Sequence, residues 1–377
     1  MRKIFDMKVI CQTQKLSEAC QIIQRSVSPK TSIPALEGIL LKALGDELIL
    51  TGYDMDLGIN TSISARVNKP GSIIINAKTL CDILRYLPGE SVVIEKQDER
   101  FKYMIRSGET EYTILGIDAA DFPELPKIED SYPIVVEQKK LREMIRQTIF
   151  AVAVNDSTKV VHTGIKFEIT SGNIRLIALD GFRLAIRNEE IDYEGEEISF
   201  IVPSKTLSEI VKIMNDDEGT VSISIGKRHI IFEIGDYFII SRLLEGEFLN
   251  YKTAIPMNCS TTVRVSTKSM IECIERTSLR ITDKIKIPIR CNFSENSIQV
   301  SSVTSIGTAH DRIAAEIEGN GIEIGFNNKF LLDALKVSDV DEVKIELNGP
   351  TSPILILDPD SDKFLFLVLP VRLKNEN

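Results

Sequence analysis

Three short stretches, "NAKTLCDILR" at 76–85, "PSKTLSEIVK" at 203–212 and "NNKFLLDALK" at 327–336, are copies of one amphipathic helix. Lys78, Lys205 and Lys329 share a column, 127 and 124 residues apart. Leu80, Leu207 and Leu331 share another, followed by Asp82, Glu209 and Asp333, by Ile83, Ile210 and Ala334, and by Arg85, Lys212 and Lys336. A repeat this long is a domain, since solenoid units run only about 20–45 residues. A second helical pattern precedes each copy, at "KLSEACQII" from Lys15, "KLREMIRQTI" from Lys140 and "SMIECIERTSL" from Ser269, with Leu16, Leu141 and Met270 aligned. After each copy comes an alternating stretch, "SVVIEKQ", "TVSISIGK" or "EVKIELNG", the period-two pattern of a half-buried strand. The expected fold class is α+β. Three repeated domains, 1–130, 131–256 and 257–377, each carry two helices and two small antiparallel sheets.

Packing and solubility account for the apolar and acidic columns. The basic column is different, because the chain is acidic, with 45 Lys and Arg against 55 Asp and Glu and a net charge of -10. The six expected helices are Thr13–Val27, Asn76–Leu87, Gln138–Phe150, Pro203–Met214, Ser266–Arg280 and Asn327–Val337. Together they carry 15 basic and 7 acidic residues, so they stand at +8 while everything else stands at -18. Six ordinary solvated faces would be one reading of this charge. The other is a shared face that attracts a polyanion, because an acidic shell around basic helices focuses the field toward them. Duplex DNA carries one charge per roughly 1.7 Å and binds lysines through its phosphates without base recognition. No helix-turn-helix arrangement with Asn, Gln and Arg at a helix start is present to read bases.

Catalytic and metal motifs are missing. The sequence has no GxxxxGK[ST] and no GxSxG, and the glycines of "EGNGIEIG" at 318–325 precede a strand and read as a turn. The acidic runs "NDDEG" at 215–219 and "DPDSD" at 358–362 lie at turns, and the second lacks the glycine and distant glutamate of a calcium loop. Cys11, Cys20, Cys81, Cys259, Cys273 and Cys291 are scattered singly, as are His162, His229 and His310, which suits free thiols and offers poor material for zinc. The apolar run "FLFLVLPV" at 364–371 is too short to span a bilayer and is broken by Pro370, so it reads as a strand. No cofactor, metal or membrane partner is expected, and the chain reads as cytoplasmic. Two rivals remain on residues alone: a DNA-acting enzyme, which would cluster catalytic polar groups, and a scaffold for acidic proteins, which would concentrate basic residues on one domain.

The repeat, together with "ALDGFRLA" at 178–185, "LLEGEFLNY" at 243–251, "EIGFNNKFLLDAL" at 323–335 and "FLVLPVRL" at 366–373, resembles the bacterial sliding clamp family, the beta subunits of DNA polymerase III. The resemblance runs from Met7 onward, with the first six residues standing as an upstream extension. It implies a non-enzymatic processivity factor whose two copies join head to tail, so that six domains close a ring with twelve helices around a central hole. Twelve helices about 10 Å wide leave roughly 28 Å clear, wide enough for a duplex of roughly 20 Å.

Position by position, the resemblance carries DNA contact to Lys30 and Lys78, with Lys205 at a further matching place; Arg85, Lys140, Arg146, Lys212 and Lys329 complete the basic candidates. Val160 and Val161 stand where the family has a polar or aromatic pair. A cleft between the second and third domains would take short motifs from the replicative polymerase alpha subunit, the clamp loader and repair proteins. Its matching residues are His162, Leu179, Gly181, Phe182, Arg183, Leu184, Leu249, Pro350, Thr351, Pro353, Val368, Leu369, Pro370, Val371 and Arg372. His162 replaces an apolar residue there, and Leu369 a frequent methionine. On residues alone, "FLFLVLPVRL" is equally a core strand and Gly181 a hairpin glycine. Ring closure would pair outer strands of the first and third domains across copies, with Tyr112 and Ile114 on one side and Leu279 and Ile281 on the other.

Overall fold

A computed structural model of the chain describes residues 7–97, 101–128, 133–154, 159–214, 218–279, 281, 287–305 and 307–373. The expected boundary at 130/131, most of the "NDDEG" run and Arg280 lie outside the described residues. Among the described residues six α-helices form: α1 Thr13–Ile23, α2 Ala77–Arg85, α3 Gln138–Ile149, α4 Ser204–Ile213, α5 Thr267–Ser278 and α6 Asn328–Val337. They fall within two residues of the expected segments, except that α1 tightens after Ile23 into a 3-10 turn, Gln24–Ser26.

The repeated columns explain these helices. Leu80, Leu207 and Leu331 are fully buried, and Ile83, Ile210 and Ala334, one turn on, are buried beside them. Residues three apart share a helix face, so these pairs form the stripe that packs on the sheets. Lys78, Lys205 and Lys329 are exposed, as are Arg85, Lys212 and Lys336. Asn76 Oδ1 accepts the Thr79 N–H at 3.1 Å, and Asn327 Oδ1 accepts the Lys329 N–H at 3.0 Å. Each cap satisfies a donor that the first turn would leave bare.

The chain forms two compact units, one of 1–139 with 206–243, the other of 140–205 with 244–377. In the first, nine strands follow one another edge to edge: Thr110–Leu115, Lys102–Ser107, Ser91–Lys96, Lys8–Gln12, Leu57–Lys69, Tyr237–Arg242, His229–Ile234, Thr220–Ile225 and Ile134–Glu137. Three further strands, Gly38–Leu44, Glu47–Tyr53 and Gly71–Asn76, branch from Leu57–Lys69. That 13-residue strand is shared: Ala65–Lys69 pairs with Lys8–Cys11, and Leu57–Thr61 pairs with Tyr237–Ser241. The helices α1 and α2 pack together on this sheet.

In the second unit nine strands run in the order Ile198–Pro203, Gly164–Thr170, Asn173–Leu179, Arg183–Glu190, Phe364–Val368, Ile354–Leu357, Glu342–Leu347, Thr261–Ser266 and Glu316–Gly319. A four-stranded sheet beside it runs Gly307–Ala314, Ser297–Thr304, Ile289–Ser294 and Ile322–Phe326, with α5 packed on it. The expected small antiparallel sheets therefore join edge to edge into larger ones. Joining leaves fewer bare backbone edges than separate domains would.

The stretch "FLFLVLPVRL" resolves into a strand, Phe364–Val368, and an irregular end. Phe366 is fully buried, stacked on Phe364 with ring centroids 4.6 Å apart and edge-on to Phe150 at 5.4 Å. Five of the six cysteines are buried, and all six are free. Burial pushes the Cys11 thiol up to about 12. A thiol so far from its thiolate is inert packing.

Phe366→Ala is expected to destabilise the chain by about 3–5 kcal/mol through the cavity it leaves, read as a lower urea midpoint of the full-length protein.

Candidate functional site

The turn between strands Asn173–Leu179 and Arg183–Glu190 is built from "DGF". Asp180 Oδ1 accepts the backbone N–H groups of Phe182 at 2.9 Å and Arg183 at 3.1 Å. Gly181 sits at φ +87°, a conformation costly for any residue with a Cβ. Gly181 is thus a hairpin glycine, and the turn it permits presents Phe182. The partner strand Phe364–Val368 lies alongside with Arg183 opposite Val368, and the Leu369 N–H donates to the Phe182 carbonyl at 2.8 Å. Two residues further, the Val371 N–H donates to the Gly325 carbonyl at 2.7 Å. Two backbone bonds thus hold Leu369, Pro370 and Val371 as an irregular rib between the hairpin turn and the four-stranded sheet.

Phe182, Leu369, Pro370 and Val371 line a cavity of about 940 Å³ whose other walls are one face of α6 and Ile281, Ile287 and Pro288. Phe182 is 59% exposed and stacks on Phe330 of α6, with centroids 5.9 Å apart. Arg183 props this wall from behind. Its Nε donates to Asp180 Oδ2 at 2.9 Å and its Nη1 to Asp333 Oδ2 at 2.6 Å, while its guanidinium lies 4.6 Å from the Phe330 ring centroid and 5.4 Å from that of Phe150. The side chain is only 9% exposed. A planar cation between two rings and two carboxylates satisfies at once the charge and the apolar faces around it.

The other cleft candidates divide. Leu179 and Leu184 are buried in an apolar cluster with Ile177, Ile186, Tyr251, Leu355 and Leu367. Phe248 packs against that cluster and meets His162, which is buried, edge-on at 5.5 Å. Leu249 is half exposed, whereas Val368 is wholly buried and faces the core. Pro350, Thr351, Pro353 and Arg372 do not line the cavity. Beneath the cluster, burial alone would raise the Glu168 carboxyl, but hydrogen bonds from Lys166 and Tyr251 outweigh it and hold it below the usual carboxylate range.

Sequence reasoning missed Phe330, Leu332 and Asp333 as cavity residues. A signal was present, because Phe330 stands in the column occupied by Thr79 and Thr206 in the other two copies. A large aromatic ring replacing a small polar residue on a partly exposed position marks a face with a task of its own.

The basic candidates also divide. Lys30, Lys78 and Arg85 are exposed and make no ion pair among the described residues. Lys205 is exposed and Lys140 half-buried. Lys212 is paired with Glu209 at 2.8 Å, which also takes Arg25 at 3.1 Å, and Arg146 is paired with Asp339. Lys329 lines the cavity.

Of the ring-closure candidates, Tyr112 and Ile114 lie on Thr110–Leu115, the terminal strand of the first unit's sheet, where Leu115 is 69% exposed. Leu279, just after α5, is 78% exposed, whereas Ile281 lines the cavity. Among the described residues the second unit offers an unpaired sheet edge that the sequence reading did not name, the strand Gly307–Ala314. It is tied to α5 by Arg276, whose Nε donates to Asp311 at 2.8 Å. Burial opposes ionisation of Asp311, but the Arg276 bond and the Arg312 N–H hold its carboxyl below the usual range.

Residues 7–126, 135–250 and 252–372 match, in that order, the N-terminal, central and C-terminal domains of the DNA polymerase III beta subunit. The chain belongs to the DNA polymerase III beta subunit family. Family members are sliding clamps, non-catalytic processivity factors of DNA polymerase III, and the chain is a processivity factor rather than an enzyme. It is 33% identical over 378 residues to the beta sliding clamp of Bacillus subtilis, covering 97% of this chain and 100% of the relative. Among solved structures, the DNA polymerase sliding clamp of Bacillus subtilis superposes with a TM-score of 0.95 at 32% identity, over 98% of this chain and 100% of that one. A putative DNA polymerase III beta subunit of Eubacterium rectale does so with 0.93 at 35% identity, over 97% and 100%.

Arg183→Ala strands two carboxylates and unprops the Phe182 and Phe330 rings. It is expected to cost about 1–3 kcal/mol and to speed hydrogen exchange in the turn at 180–183, and Arg183→Lys is expected to restore little of either, lacking the planar fork.

Proposed function

We propose that two copies of this sliding clamp close head to tail into a ring that encircles duplex DNA and slides along it without base specificity. The observation that carries the proposal is the repeated basic column, whose lysines Lys78, Lys205 and Lys329 are exposed in all three copies on helices whose opposite face is core. A stripe repeated in each domain suits a lining that meets phosphate all the way round, whereas a single patch would suit one docked ligand. Lys30, Lys78 and Arg85, unpaired among the described residues, and Lys205 are the leading phosphate contacts. Arg146 and Lys212 contribute less, because Asp339 and Glu209 already offset their charge. Many weak contacts allow sliding, so no single lysine is decisive.

Ring closure rests on two bare edges, Thr110–Leu115 and Gly307–Ala314, each ending a sheet. Pairing one with the other across copies would bury Tyr112 and Ile114, with Leu279 beside the joint. The three domains would span 1–130, 131–256 and 257–377, and the ring would work in the cytoplasm. No described helix is long and apolar enough to cross a membrane. The cavity beside Phe182 would take short peptide motifs from the polymerase alpha subunit, the clamp loader and other replication and repair proteins. An apolar pocket with a few fixed polar groups is the usual form of such a site.

The decisive experiment loads the protein onto nicked circular DNA with a clamp loader and then linearises the circle. Retention on the circle and loss from the cut ends are expected. Equal release from both forms, following salt alone, would instead mark an open protein held by charge. Separately, Ile114→Glu is expected to convert the dimer to monomer in sedimentation equilibrium while leaving the circular dichroism spectrum unchanged, because a charge on a bare edge opposes pairing without disturbing the core.

A further inference from the structure

The two sheet edges assigned to ring closure each have two faces, and their side chains divide between them by chemistry. On Thr110–Leu115, Tyr112 stands opposite Ile105 and Ile114 opposite Tyr103, both of which are buried. Successive side chains on a strand turn to opposite faces, so Glu111 turns away from that core, opposite Arg106. On Gly307–Ala314, Asp311 turns toward α5, where Arg276 holds it at 2.8 Å. Ala309 and Ile313 share its face, opposite the buried Ser302 and Ile298. His310 and Arg312 turn away from α5, opposite Ser301 and Gln299.

The residues that turn away from the helices leave opposite charges on the two edges. Glu111 and Glu109, which stands in the adjoining turn, are exposed and make no ion pair among the described residues. Arg106 lies one strand further in, so the rim itself is acidic. Arg312 is exposed, and its Nε donates to a neutral group, the Ser297 hydroxyl, at 2.9 Å. Exposed His310 adds a second cation when protonated. Asp311 does not offset them, because Arg276 takes its charge on the other face.

We propose that this opposition decides which edge meets which, with Glu111 and Arg312 as the residues that set the head-to-tail direction of the ring. It rests on the reading of these edges as the joint between copies. With the helices of both copies toward the hole, the faces turned away from them also run together, and Glu111 of one copy shares a face with His310 and Arg312 of the second. Joining Thr110–Leu115 to its own counterpart would set acids against acids, and joining Gly307–Ala314 to its counterpart would set Arg312 against Arg312. Like charges across a strand pair are destabilising. Tyr112 and Ile114 supply burial, which is non-directional, whereas the charges penalise the wrong partner.

The test reverses each charge in the full-length chain. Glu111→Arg makes both edges basic and Arg312→Glu makes both acidic, and each acts at both joints of the ring. Each variant alone is expected to weaken the homodimer about tenfold or more at low ionic strength, read by sedimentation equilibrium, with an unchanged circular dichroism spectrum. An equimolar mixture of the two is expected to recover dimer, because both joints of the mixed ring then meet opposite charge, and native mass spectrometry should find the heterodimer as the main species. The double variant, with both charges reversed in one chain, should recover the homodimer. If the single variants dimerise like the unaltered chain, or the mixture fails to recover, the assignment is wrong. Ile114→Glu separates this from the ring reading. If it dissociates the dimer while the charge reversals do nothing, only the charge assignment falls; if it too leaves the dimer intact, the edges are not the joint and both fail.

Discussion

The pairing of strand Arg183–Glu190 with Phe364–Val368 is the constraint on which the site depends. It joins residues from the central and C-terminal family domains into one nine-stranded sheet. In doing so it sets the "DGF" turn beside the rib Leu369–Val371 and fixes the Leu369 N–H on the Phe182 carbonyl. The cavity is what remains where these two strands end and α6 crosses in front of them. Strand register allows no small adjustments, because a slip of one residue would turn every side chain to the other face. Phe182 and Leu369 are therefore aimed by the whole ladder behind them.

Arg183 carries the electrostatic half of the arrangement. A cation taken largely out of water is costly unless its donors are met. Two carboxylates meet them, one from its own turn and one from α6. The same guanidinium presents a face to the rings of Phe150 and Phe330. A partly exposed aromatic wall stays in place because the group behind it is tied to two carboxylates. Such a wall can be offered to a partner without collapsing into the core, as bare rings tend to do.

One repeated unit has been put to different uses. The apolar columns are alike in all three copies because each helix must bury the same stripe on a sheet. The basic column is shared too, but its surroundings differ: Lys78 is open to solvent, while Lys329 borders the cavity beside Phe182. The replacement of the Thr79 and Thr206 column by Phe330 is where the third copy departs most plainly. It stacks with Phe182. A side chain on one copy acquires a new task only when a neighbour from another part of the chain arrives to use it.

Legible in the amino-acid order alone were the six helices, their buried and exposed faces, the three-fold repeat and the segregation of charge. All of these follow from local periodicity and from a comparison of the chain with itself. It also marked the Gly181 turn, because a glycine between two strand patterns has few other reasons to be there. What it left undecided lies in long-range pairing. That Val368 would turn inward while Leu369 opens to a cavity, that Arg183 would find Asp333 across 150 residues, and that Ile281 would face α6 depend on which strands share an edge. Edge partners are chosen by the summed burial and hydrogen bonding of whole sheets, a quantity that no local window contains.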